Sequence, residues 1–180
     1  MSNLRNKLVK LANDNPDGIR EHLVPILKET STTKQAGYTH YWDILRPFTD
    51  QEWSKIIQVS KQIIAKAART TKLKAPSGDY YDEEIALDGI QIFGPFGTGK
   101  PILNNKLISL NGNKKYIGPD GPDDLSHESF YMQKETTNAF AFCKTARKPY
   151  DAVVVSILAS IKKIAPGALK ISGGSIRKVL

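Results

Sequence analysis

The chain has 180 residues, 40% of them hydrophobic and 24% charged, which suits one compact domain with an appendage and excludes a disordered polypeptide. A single cysteine, Cys143, excludes an internal disulfide and a multi-cysteine metal centre, and no apolar run approaches the roughly 20 residues that span a bilayer. The formal net charge of +8 is uneven: residues 144–180 carry eight Lys and Arg against one Asp, whereas residues 81–143 carry five against nine acidic groups. Such asymmetry points to a polyanion, to an acidic protein face, or to self-association through complementary surfaces.

Residues 3–13 place Leu4, Leu8 and Leu11 on one helical face, and Asn13-Asp14-Asn15-Pro16 ends that period. A second short helix follows to Glu29, with Ile19, Leu23, Ile26 and Leu27 as its stripe and Pro25 as a kink. Residues 1–29 therefore read as a helical hairpin, either packed on the body or docked through Leu4, Leu8, Leu11, Leu23 and Leu27 into another protein. No uninterrupted apolar stretch occurs there, so a secretory signal is not expected. Residues 30–40 are polar and aperiodic and read as a linker. Tyr41, Trp42, Ile44, Leu45 and Phe48 then anchor the chain on a domain spanning 41–172.

Thr49-Asp50-Gln51-Glu52 fits a capping box, and Trp53, Ile56, Ile57, Ser60, Ile63, Ile64 and Ala67 line one side of a helix over 50–68. Lys55, Lys61, Lys66 and Arg69 fall on its outer side, as a solvated face requires. From residue 84 to 143 the pattern changes to short strands and turns. Ile85-Ala86-Leu87 and Ile90 to Phe93 flank Asp88-Gly89, a tight-hairpin dipeptide, and Leu107 to Leu110 runs into a second, Asn111-Gly112. Ser129 to Met132 is a further strand, and Phe140, Phe142 and Cys143 form either a strand or the entry to the last helix. That helix covers 150–163 through Val153, Val154, Ile157, Leu158 and Ile161, with Asp151 suiting its positive end and Lys162 and Lys163 its negative one. Leu169 to Ser172 closes the sheet, and 173–180 is a basic tail with Arg177 and Lys178.

Gly94 to Lys100 matches the phosphate-binding spacing G-x-x-x-x-G-K, but Pro101 stands where such a loop needs a Ser or Thr hydroxyl for Mg²⁺ and an opening helix. The segment reads as a glycine-rich turn. Asp120, Asp123, Asp124, His127 and Glu128 crowd one loop, yet their spacing does not fit a calcium-binding loop, so a solvated acidic turn is expected. His22, His40 and His127 lie far apart, with no spacing suited to zinc. Cys143 would need folding to bring His127 beside it before it acts as a nucleophile; otherwise it is a small packed residue. No catalytic residue, metal or cofactor is assigned. The string Lys144-Thr145-Ala146-Arg147-Lys148-Pro149-Tyr150-Asp151 sets three cations before a helix N-terminus, either as a grip for phosphate or nucleic acid or as a basic turn neutralising the acidic middle.

The pattern Leu4-Arg5-x-x-Leu8-x-x-Leu11-Ala12-x-x-Asn15-Pro16, continuing through Arg20, Leu23, Pro25, Ile26 and Leu27, resembles an N-terminal segment seen on assorted tailed-bacteriophage proteins. Phe142 to Asp151 similarly resembles a patch in small phage proteins of undefined role. The resemblance implies phage origin and a shared docking or targeting tag, and it transfers no catalytic residue. The expected architecture is α+β: a small, mostly antiparallel sheet packed by two helices and preceded by a helical hairpin. The expected role is non-enzymatic, as a virion structural or assembly protein made in the host cytoplasm. It binds neighbouring subunits or itself through the hairpin and the basic C-terminal region, without a membrane. The alternative is a nucleic-acid-binding accessory protein acting through Lys144, Arg147, Lys148, Arg177 and Lys178.

Overall fold

The computed structural model describes residues 39–69, 72–73, 85–86, 89–146 and 148–173. The expected hairpin at 1–29, most of the linker, Arg147 and the tail with Arg177 and Lys178 lie outside the described residues.

β1 (Thr39–Ile44) and α1 (Asp50–Arg69) open the described chain. The short β2 (Lys72–Leu73) and β3 (Ile85–Ala86) follow, then β4 (Ile102–Leu103), β5 (Leu107–Leu110), β6 (Tyr116–Gly118), β7 (Gly121–Asp123), β8 (Phe130–Gln133) and β9 (Ala139–Lys144). α2 (Asp151–Ile164) and β10 (Leu169–Gly173) complete it. The described strands form antiparallel sheets: β10-β1-β9, β4-β5-β8 and the two-stranded pairs β2-β3 and β6-β7. The class is α+β as expected, but the strands divide among several small sheets instead of forming one.

The first sheet recruits the linker's end. Thr39 and His40 belong to β1, because His40, Trp42 and Ile44 alternate inward with period two and are buried. The rings of Trp42 and Phe130 meet with centroids 5.5 Å apart, joining this sheet to β8. α2 is the centre of the molecule: every residue from Asp151 to Ile161 is buried. Its Ala-Val-Val-Val start is rich in β-branched residues that cost a few tenths of a kcal/mol each in a helix. Burial of each side chain contributes about 1.5–3 kcal/mol, so packing overrides propensity. A helix apolar all round is an interior helix, not a cover for one sheet face.

α1 is amphipathic, burying Trp53, Ile56, Ser60, Ile63 and Ala67. Its capping box forms as the sequence predicts. The Glu52 amide donates to Thr49 Oγ1 at 3.1 Å, and the Thr49 amide donates to Glu52 Oε2 at 2.9 Å. Arg46 adds a bidentate pair to the same carboxylate, Nη1 to Oε2 and Nη2 to Oε1, each 2.9 Å. The Arg46 hydrogen bonds, with help from Thr49, hold the Glu52 carboxyl down at about 2 from an ordinary 4.5. A depressed carboxylate stabilises the fold above its unfolded pKa, and that contribution vanishes as pH falls through the folded one. Urea unfolding of the wild type is therefore expected to show a stability loss between about pH 4.5 and about pH 2 that Glu52→Gln shrinks.

Of the two turn signals, Asp88 of Asp88-Gly89 lies outside the described residues; among those described, β3 pairs with β2, and the Ile90 amide donates to the Ala67 carbonyl at 2.8 Å. Gly89, at φ 76°, brings the chain so close to α1 that a Cβ would lie 2.3 Å from the Ala68 carbonyl oxygen. Asn111-Gly112, against the expectation, is no tight turn. Asn111 is fully buried and its amide nitrogen donates to the His127 carbonyl at 2.8 Å and to Ser129 Oγ at 3.1 Å. The side chain is spent on cross-linking β5 to the segment before β8, so it is not free to shape a hairpin. The tight reversal instead falls before β5, where Asn104 Oδ1 accepts the amides of Lys106 at 2.9 Å and Leu107 at 3.0 Å.

Candidate nucleic-acid interface

Alternation in β1, β9 and β10 sends every second residue away from the core, and the register aligns those outward residues across the strands. Thr39 faces Lys144, Tyr41 faces Phe142, and Asp43 lies between Phe140 and Lys170. Tyr41, Phe140 and Phe142 are 39, 61 and 55% exposed. Their rings form a triangle with centroid separations of 6.0 Å (Tyr41–Phe140), 6.4 Å (Tyr41–Phe142) and 6.3 Å (Phe140–Phe142). Tyr41 and Phe140 are inclined by only 19° and so present nearly parallel planes. Exposed Lys144 and Lys170 stand on opposite edge strands of the same face, and Asp43 sits across from Lys170.

Just beyond β9 the chain is pinned from several sides. Glu128 Oε2 accepts the Lys144 amide at 2.7 Å, and the Glu128 carbonyl accepts the Tyr150 hydroxyl at 2.6 Å. His127 Nδ1 lies 2.9 Å from the Lys144 carbonyl, so that nitrogen carries the proton. Beneath the sheet, buried His40 and Thr145 both donate to Asp151 Oδ1, His40 Nε2 at 2.7 Å. Asp151 does occupy the first turn of α2 as predicted, but its carboxylate serves this internal link between β1 and α2.

Of the two readings of the segment before α2, a phosphate grip and a basic turn, the helix end itself supplies no grip. The amides of Asp151, Ala152 and Val153 already donate to the carbonyls of Lys148, Pro149 and Tyr150 at 3.0, 3.3 and 3.0 Å. Tyr150 and Asp151 are buried, so α2 offers no open anion site at its start. Any anion contact here falls to side chains. Lys144 projects onto the aromatic face, while the Lys148 ammonium donates to the Asp124 carbonyl. Hydrogen bonds from Ser126 hold the Asp124 carboxyl below its ordinary range, with the charges of Lys148 and Lys114 adding to the pull.

The other candidates disperse. Gly94 to Lys100 folds as a turn, with Gly94 N–H donating to the Gly99 carbonyl at 3.1 Å and Pro95–Gly97 forming a single 3-10 turn. Pro101 leads into β4, so a strand stands where a phosphate loop needs a helix. Of the acidic loop, Asp123 and Asp124 serve local turns and Glu128 is held by Lys144. Among the described residues, no group of three His, Cys, Asp or Glu is placed to hold a metal ion. Cys143 is fully buried, and its thiol donates to the Glu128 carbonyl at 3.5 Å. Burial first, then the charges of Asp151 and Glu128, push that thiol far up, which removes the thiolate a nucleophile needs.

The aromatic triangle is the feature that motif reasoning passed over. Its signal was present in Phe140-x-Phe142 and Tyr41-x-Asp43, two period-two patterns that put aromatic and charged side chains on a single face. Among the described residues no helix is long and apolar enough to cross a membrane. Comparison of the chain with protein-family models, with curated proteins and with solved structures finds no match.

Proposed function

We propose that this chain is a non-enzymatic, phage-encoded nucleic-acid-binding accessory protein that works through the outer face of the β10-β1-β9 sheet. One observation carries this reading: the strand order brings Lys144 and Lys170, both from the basic C-terminal region, to the two edges of a face left exposed among the described residues. Lys144 borders it on β9 and Lys170 on β10, with Lys148 beyond the end of β9. β10 reaches Gly173 opposite Tyr41.

Binding should weaken steeply with salt, because each phosphate neutralised releases counterions. Three to six contacts give a slope of log K against log salt of about −2 to −4 for a single strand. A fluorescence-anisotropy titration of a labelled oligonucleotide between ~50 and ~200 mM salt measures it, with a loss of roughly 10- to 300-fold expected. No binding at ~50 mM salt removes this reading. The open face also favours a second reading, attachment to neighbouring virion subunits together with the hairpin residues Leu4, Leu8, Leu11, Leu23 and Leu27. In that case the protein is present in stoichiometric amounts in purified particles and indifferent to oligonucleotide.

A further inference from the structure

The cations account for attraction to any polyanion, but they leave the three rings between them unexplained. Isolated exposed apolar side chains are ordinary on a protein surface, and Phe96, Ile117 and Tyr131 are of that kind, on separate segments of the chain. Tyr41, Phe140 and Phe142 differ because they touch one another, come from adjacent strands, and stand on backbone fixed by an unbroken run of register pairs from Thr39–Lys144 to Ile44–Ala139. A rigid sheet that holds flat rings outward at fixed separations is pre-organised: the side chains lose little further freedom when something flat lies on them.

We propose that the Tyr41–Phe140–Phe142 triangle is a base-stacking platform that selects single-stranded over duplex nucleic acid, an inference that rests on the nucleic-acid reading above. Unpaired bases expose π-faces that stack on aromatic side chains whatever their sequence, while in a duplex those faces are already stacked on each other. The electrostatic layout suits a strand crossing the sheet. Its phosphates run along the edges marked by Lys144 and Lys170, and its bases turn in toward the rings. Each corner also holds an acidic group, Asp43 facing Lys170 across the strands and the Glu128 carboxylate on the Lys144 amide, so the phosphate contacts fall to the outward-reaching ends of the two lysines. An apolar protein segment would equally cover three rings, but it would make no use of the cations that flank them on both sides.

The test compares a labelled oligothymidine of about 10 nucleotides with a duplex of the same length, both titrated with full-length protein at one salt concentration. The single strand is expected to bind at least ~10-fold more tightly. Phe140→Ala and Phe142→Ala should each weaken single-strand binding by roughly 5- to 150-fold and leave the weaker duplex binding nearly unchanged. Both side chains are more than half exposed, so thermal unfolding of these variants should match the wild type. Phe142→Trp provides an independent readout: it should retain binding, and its emission should be quenched on addition of the single strand. Equal binding of both forms with no effect of the ring variants overturns the stacking platform while leaving a general polyanion role. Absence of binding to either form overturns the nucleic-acid reading itself. A wild-type dimer that Phe140→Ala or Phe142→Ala dissociates, or ring variants that bind oligonucleotide normally but release residues 1–38 to protease, would assign the face to a second copy or to the chain's own N-terminal segment, and either result overturns the proposal.

Discussion

Replacing Asp151 with alanine is expected to destabilise the protein by about 2–6 kcal/mol, because it leaves two buried donors without their acceptor at roughly 1–3 kcal/mol each. The carboxylate is 4% exposed and accepts from His40 Nε2 at 2.7 Å and from the Thr145 hydroxyl. Its loss strands a buried imidazole N–H, because the other ring nitrogen, Nδ1, has no partner among the described residues and the ring cannot gain by flipping. The link joins residues 111 apart, β1 to the first turn of α2, so no local rearrangement replaces it. Asp151→Asn keeps the shape and one acceptor and should cost less, about 1–2 kcal/mol. Urea midpoints at unchanged slope measure both. A loss below ~1 kcal/mol for Asp151→Ala would show that the carboxylate's desolvation had cancelled its hydrogen bonds.

Trp42→Ala is expected to cost a similar amount, about 3–5 kcal/mol, through a different mechanism. Trp42 is fully buried in the central strand of its sheet and packs on Phe130 of the other. Its removal empties the contact by which two separate three-stranded sheets share one core, and neither sheet can close the gap without breaking its own register. The indole N–H has no partner among the described residues. Trp42→Phe therefore loses ring area but also removes an unsatisfied donor, and should cost under ~2 kcal/mol. Both variants are followed by urea denaturation. If Trp42→Ala unfolds at the wild-type midpoint, the two sheets do not form a common core.

How much of this was legible in the sequence depends on whether the deciding interaction is local. The capping box of Thr49 and Glu52 was legible because its four residues are consecutive, and the helical spacing from Trp53 to Ala67 marked the face that is buried. The helix from Asp151 was legible in position but not in place: its Val and Ile content exceeds what one covered face needs, and that excess was the sign of an interior helix. Asn111-Gly112 misled because dipeptide preference competes with tertiary contacts: Asn111 is required by the bonds it makes to His127 and Ser129. Gly89 is required by the approach of the chain to Ala68. The link between His40 and Asp151 was invisible, since nothing in the sequence sets the register of β1 against α2. The basic run from Lys144 was plain, whereas the aromatic face that Lys144 borders required knowing that α2 lies beneath the sheet and that the other side is exposed among the described residues.

Chemical-shift mapping of isotope-labelled protein with a short oligothymidine tests the central claim most directly, because it reports where the ligand sits without altering a residue. The account predicts that perturbations concentrate on the amides of residues 39–43, 139–144 and 169–173 and on the ring protons of Tyr41, Phe140 and Phe142. Perturbations confined to the lysine-bearing outer side of α1, around Lys55 and Lys61, with the sheet face silent, would contradict it.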